Sequence, residues 1–233
     1  MTIIIYQSFI SNNCYSICSK VELILHKILM MLIEEISIKQ LIERSTKNSI
    51  SYTQYRALVE QLVALKSTTG DSKTEDLANY TMLNDRRMKR WDKTVKVSPE
   101  HQAIINSVTK PFTWVLITES WCGDAAHIVP VINKVAELNS NIDLRIVLRD
   151  EHPELMDAFL TSGGRAIPKL IMIDSETNEV INTFGPRPSQ ATQMAVDYKT
   201  EHGKLTPEFK EDLQRWYNKN KGQNVIEDLV SLL

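Results

Sequence analysis

With 233 residues the chain is long enough to bury a real core, as one domain with appendages or as two small domains. Its 42% hydrophobic and 24% charged residues are those of an ordinary globule, and a net charge of −2 offers no bulk attraction to nucleic acid or membrane surfaces. The cysteines, Cys14, Cys18 and Cys122, are too few for a disulfide scaffold and suit a reducing compartment, so a cytoplasmic location is expected.

The opening stretch, MTIIIYQSFISNNCYSICSK, mixes apolar with Ser and Asn residues and has no clean periodicity. Residues 1–12 carry no Lys or Arg and no small-residue cleavage site follows, which is not the pattern of a signal peptide. Val21–Ile33 contains Glu22, His26 and Lys27, and at about a dozen residues it falls short of the roughly 20 apolar residues a membrane span needs. Met30 and Met31 stand directly before a well-patterned helix, so residues 1–30 are expected to be unstructured or spurious, with translation starting at these methionines. A peptide from residues 1–29 in natively expressed protein would overturn that expectation. Cys14 and Cys18 have a C-x-x-x-C spacing that one helical turn would bring to one face, but they lie in this stretch and match no known cysteine motif.

Downstream, residues 32–43 read as an amphipathic helix, with Ile33, Ile36, Ile38, Leu41 and Ile42 apolar. A second helix runs over 51–66 from an N-cap at Ser51, with Tyr55, Leu58, Val59, Leu62 and Leu65 on one face. Ser67–Ser72 is a loop broken at Gly70, and residues 74–91 form a third helix. Residues 31–92 therefore read as a helical extension. Residues 92–97 are expected to form an edge strand. Ser98-Pro99-Glu100 is a helix start of cap, proline and acid, and that helix ends before Pro111.

From there strands and helices alternate: strand 113–118, helix 123–139, strand 143–148, helix 153–162, strand 168–174 and strand 179–184. A hairpin loop, Asp174–Asn178, joins the last two. Helices follow at 189–202, 207–219 and 224–232. The fold class is α/β, a mixed central sheet covered by helices over 93–202, with C-terminal helices from 203–233 packing on it.

The stretch Thr113–Pro130 carries the chemistry. A buried strand, Trp114-Val115-Leu116-Ile117, turns through Glu119-Ser120-Trp121 and places Cys122 where a helix begins. Unpaired N–H groups and the helix dipole at such a start favour thiolate over thiol. Asp124, two residues on, opposes that by adding negative charge near the sulfur. The sequence leaves open which effect prevails. His127, five residues after Cys122, projects about 140° around the helix from it, so a direct Cys–His pair is not expected and His127 reads as a surface histidine. Pro168 leads into a central strand although proline cannot donate to the ladder, which a cis bond from Ile167 would explain.

Trp121-Cys122-Gly123 before a helix resembles the W-C-G-x-C loop of the thioredoxin family. Pro130 sits where that family has a helix-kinking proline, Ile167-Pro168 where it has its cis-proline, and Gly185 where it has a groove glycine. The resemblance covers about residues 98–202 and implies a thioredoxin fold; the flanking helices are similar to those of bacterial thioredoxin-like proteins. The sequence departs from the redox pattern in two places: Ala125 stands at the second cysteine and Leu116 at the buried acid. A dithiol enzyme releases its mixed disulfide through the second thiol, so self-contained dithiol activity is not expected.

Two functions follow from the resemblance. In the first, Cys122 is a monothiol redox nucleophile, resolved by glutathione as co-substrate or by a protein partner's thiol. In the second, the chain is a non-catalytic module that holds an extended peptide in a groove of Trp121, Gly123, Asp124, Ile167, Pro168, Gly185 and Arg187. A structural scaffold with an inert cysteine is a third reading. Arg187 and the helix start at Ser189 read either as a carboxylate site for a thiol peptide or as a rigid Pro-rich loop with a solvated arginine; Arg165 is an alternative cation. The basic run 84–93 lacks the aromatic platforms of a nucleic-acid surface and reads as a solvated helix face or a contact with the core. No C-x-x-C, H-x-x-x-H or spaced acid cluster suggests a metal.

Overall fold

The structure, a computed structural model, describes Leu25 and residues 38–233. Of residues 1–30, expected to be unstructured or spurious, Leu25 alone is described, and Cys14 and Cys18 lie outside the described residues, as do residues 32–37 of the helix expected over 32–43. Of the N-terminal unit, Met1–Leu41, Leu25 and residues 38–41 are described and are helical. The second unit, Ile42–Leu233, is helical through residue 47 and contains the whole sheet.

In that unit the elements are α1 (Tyr52–Ala64), α2 (Glu75–Thr94), α3 (Pro99–Asn106), β1 (Phe112–Thr118), α4 (Ala125–Ala136), β2 (Ile142–Leu148), α5 (Pro153–Ala158), β3 (Lys169–Asp174), β4 (Val180–Phe184), α6 (Ser189–His202), α7 (Pro207–Asn220) and α8 (Gln223–Ser231). The sheet order is β2-β1-β3-β4. β1 pairs parallel with β2, Leu116 opposite Ile146, and antiparallel with β3, Leu116 opposite Leu170. Covered on both faces, β1 is buried from Trp114 onward, which is why its sequence is a continuous apolar run and not an alternation. β3 and β4 form the hairpin, whose loop is pinned by the Asp174 carboxylate accepting from the N–H groups of Glu176 and Thr177 at 2.9 and 3.0 Å. Ile50 covers the outer edge of β2 through two backbone bonds with Ile146.

α4 is the hub. Nearly all of its residues are buried, because β2 lies on one side of it and α2 and α8 on others. Helix starts follow their sequence signals: Ser51 forms a capping box with Gln54, and Ser98 accepts from His101 N–H with Pro99 in the first turn. Among the described residues no helix is long and apolar enough to cross a membrane.

Three expected elements differ. Residues 92–97 are not an edge strand: α2 continues to Thr94, because buried Trp91 and the Asp92 carboxylate are both engaged (Tyr52 and Arg56 hold Asp92 at 2.5 and 3.2 Å), and residues 95–98 are irregular. The helix expected over 153–162 stops at Ala158, because Ser162 and Gly163 adopt positive φ in a turn closed by Thr161 and Gly164. The helix expected over 123–139 spans only Ala125–Ala136.

Candidate functional site

Cys122 lies in the loop that follows β1, separated from α4 by Gly123 and the N-cap Asp124, and is a free, buried thiol. Its Sγ donates to the carbonyl oxygen of Ile167 at 3.2 Å, so the loop after β1 meets the segment that leads into β3. The Ile167–Pro168 and Gly185–Pro186 peptide bonds are cis. Gly185 closes the other side: with φ +105 it lies so near Pro168 that a Cβ would fall 2.2 Å from the Pro168 carbonyl oxygen. Only glycine permits that approach. Gly123 has open space where a side chain would be. The half-buried Trp121 lies under the Arg149 guanidinium, 4.8 Å from its ring centre.

Burial, and next the Asp124 charge, push the Cys122 thiol up to about 12, while the N–H groups of Ala125 and Asp124 and the Arg187 cation pull the other way. The helix start faces the sulfur but does not prevail. Asp124 itself is held from two sides, by Arg187 at 2.8 Å and by the Tyr217 hydroxyl of α7 at 3.0 Å. One arm of the Arg187 guanidinium is thus taken by the chain's own Asp124, while its buried Nε has no partner. The start of α6 is also filled: Pro188, and not Ser189, is the N-cap, and Asp228 of α8 accepts from Ser189 N–H at 2.6 Å and from Ser189 Oγ at 2.7 Å. Asn224 accepts from Gln190 N–H at 2.9 Å. Arg165 pairs with Asp157 at the surface.

His127 is not a surface residue. It is 2% exposed: Trp91 Nε1–H donates to its Nδ1 at 2.9 Å, its Nε2 pairs with Gln214 at 2.6 Å, and Tyr217 stacks on its ring at 4.5 Å. Burial lowers it to about 4, with Arg87 and Arg90 adding to the depression, so it is a neutral imidazole whose Nδ1 accepts. The sequence pattern concealed this because α7, which covers that side of α4, is distant in the chain.

Several residues at the site carried no sequence signal. Asn84 of α2 donates to the carbonyls of Ser120 at 2.9 Å and Cys122 at 3.1 Å, and so fixes the loop from outside. Ser120 sits in a buried cluster of hydroxyls with Thr68, Thr69 and Thr81. Glu119 is fully buried; its Oε1 accepts from Asp150 N–H at 2.9 Å, its Oε2 has no partner, and burial raises its pKa. Leu116, at the family's acid position, is a buried apolar residue of β1. Among the described residues no three His, Cys, Asp or Glu side chains converge on a point where a metal could sit.

The fold has a counterpart in a crystal structure of a protein of unknown function, PA1234, from Pseudomonas aeruginosa, at 14% identity and a TM-score of 0.52 over 64% of this chain and 83% of that one. An HIV epitope-scaffold is similar at 15% identity and a TM-score of 0.49, covering 78% of this chain and 97% of that one. No curated protein matches. A family model described as thioredoxin matches residues 70–202, more than half of the chain, and spans α2, the Cys122 loop, the four strands and α6. The chain belongs to the thioredoxin family.

Proposed function

We propose that this chain is a binding protein on the thioredoxin fold, holding an extended peptide beside Ile167 and Pro168, with Cys122 serving as a protonated hydrogen-bond donor and not as a redox nucleophile. The observation that carries this reading is the bond from the buried Cys122 Sγ to the Ile167 carbonyl oxygen. A thiol must lose its proton before it can attack a disulfide. At a pKa of about 12, thiolate at neutral pH is on the order of one molecule in 100,000. Ala125 supplies no second sulfur that could release a mixed disulfide within the loop.

The binding half of the reading rests on the backbone around Ile167. Its carbonyl keeps a second lone pair after accepting from the thiol. Gly123 has open space where a side chain would stand, which suits the approach of an extended strand from that flank. The places suited to a free tripeptide's end carboxylates, Arg187 and the α6 start, hold the chain's own Asp124 and Asp228. That favours a polypeptide over glutathione as the ligand.

The test is the pH dependence of iodoacetamide alkylation in a Cys14→Ser/Cys18→Ser variant, where Cys122 is the remaining thiol. The expected midpoint lies above the ordinary thiol value of about 8.5. A midpoint below it would overturn the reading in favour of a monothiol redox protein resolved by glutathione or by a partner's cysteine.

A further inference from the structure

The basic run on α2 divides its charges between two sides. Asp85, Lys89 and Asp92 face α1, where Arg56 pairs with Asp85 at 3.0 Å and Asp92 at 3.2 Å, and Lys89 joins Asp85 at 3.0 Å. Arg87 and Arg90 lie outside that network. Arg90 donates to Asn218 of α7 at 2.5 Å and lies over the Trp91 ring. Arg87 is half-buried and donates to Asn84 Oδ1 at 3.0 Å; among the described residues no Asp or Glu pairs with it. A cation partly removed from water without a carboxylate is costly. Here the cost is compounded, because burial and the neighbouring Arg90 both push the Arg87 guanidinium below its ordinary range. The acids of α2 that flank Arg87 in the chain, Asp85 and Asp92, pair with Arg56.

We propose that Arg87 and Arg90, where α2 meets α7, form a binding site for an oxyanion, a carboxylate or phosphate group of a ligand that supplies the missing negative charge. Guanidinium pairs suit both groups, since each N–H fork donates to two oxygens. Asn84 links this site to the Cys122 loop. Its Oδ1 takes Arg87 while its amide N–H groups hold the Ser120 and Cys122 carbonyls. A ligand anchored on Arg87 therefore sits one side chain away from that loop. The site does not depend on whether Cys122 reacts or on what lies beside Pro168.

The full chain is titrated with inorganic phosphate and, separately, with a capped tetrapeptide of glutamates, following the Trp91 indole N–H resonance by NMR, assigned through Trp91→Phe. A saturable shift with either probe is expected, weakened about tenfold or more in Arg87→Gln and in Arg90→Gln. Arg86→Gln removes the same charge from an exposed position of α2 and should leave the affinity within about twofold. Tighter binding of phosphate would identify a phosphorylated ligand, and tighter binding of the peptide a carboxylate-bearing one. No saturable shift with either probe, or an equal loss in Arg86→Gln, would overturn the site.

Discussion

Asp124 serves stability and works against reactivity. Its carboxylate ties Arg187 and Tyr217 to the start of α4, and the same charge helps to keep the neighbouring thiol protonated. Asp124→Asn should therefore lower the alkylation midpoint of Cys122. It should also cost about 1–3 kcal/mol in urea unfolding, because a largely buried Arg187 loses its carboxylate. An unchanged midpoint would mean that burial alone sets the thiol. His127 makes a pH prediction. Its folded pKa, about 4, lies below the ordinary value of 6.5, so between those values the unfolded chain binds the extra proton. Its contribution is complete above pH 6.5 and is lost as pH falls toward 4, by about 3 kcal/mol in all. The stability difference between wild type and His127→Gln, from urea unfolding at pH 7 and pH 4, should shrink by that order; a constant difference would refute it.

At the scale of elements, α7 gives the site its character. Thr206 caps it, Pro207 opens it, and Phe209, Leu213 and Tyr217 recur at the spacing of one buried face. That face brings Tyr217 to Asp124 and Gln214 to His127. Leu213→Ala should cost about 2–5 kcal/mol, as a cavity in a buried face does. It should also speed alkylation of Cys122, because loosening α7 lets water reach the start of α4 and relieves the burial that chiefly keeps the thiol protonated. A stability loss with no change in alkylation rate would show that α7 does not guard the thiol. Caps and turn residues mark the starts of α1, α3 and α7. At residues 92–97 and 159–162 distant or closing contacts prevail over local signals, Asp92 reaching α1 and the chain turning at Ser162–Gly163.

For the whole molecule, residues 42–233 form one unit in which the helices before β1 belong to the core. Tyr55, Val59, Met88 and Trp91 are buried, and the loop after α1 reaches the Cys122 loop through Thr68, Thr69 and Ser120. Urea transitions followed by tryptophan fluorescence and by far-UV circular dichroism should therefore coincide, and Ser120→Ala should move both together by about 1–3 kcal/mol. Separate transitions would mean that the extension folds on its own.

Apolar periodicity, caps and proline act within a few residues of chain, so the four sheet strands, the helix starts at Ser51 and Ser98, and the positions of Cys122 and Pro168 are legible without any distant contact. The absence of a second thiol was equally plain from Ala125. The chemical state of Cys122 and its neighbours is set by packing. Whether Cys122 meets the helix start as thiolate depended on how deeply it is buried. Asp124 pairs with one arm of Arg187, and Asp228 fills the start of α6. Burial and ion pairing are set by segments far apart in the chain, Asn84 from one side and α7 and α8 from the other, and local pattern carries no record of which distant surface will cover which residue.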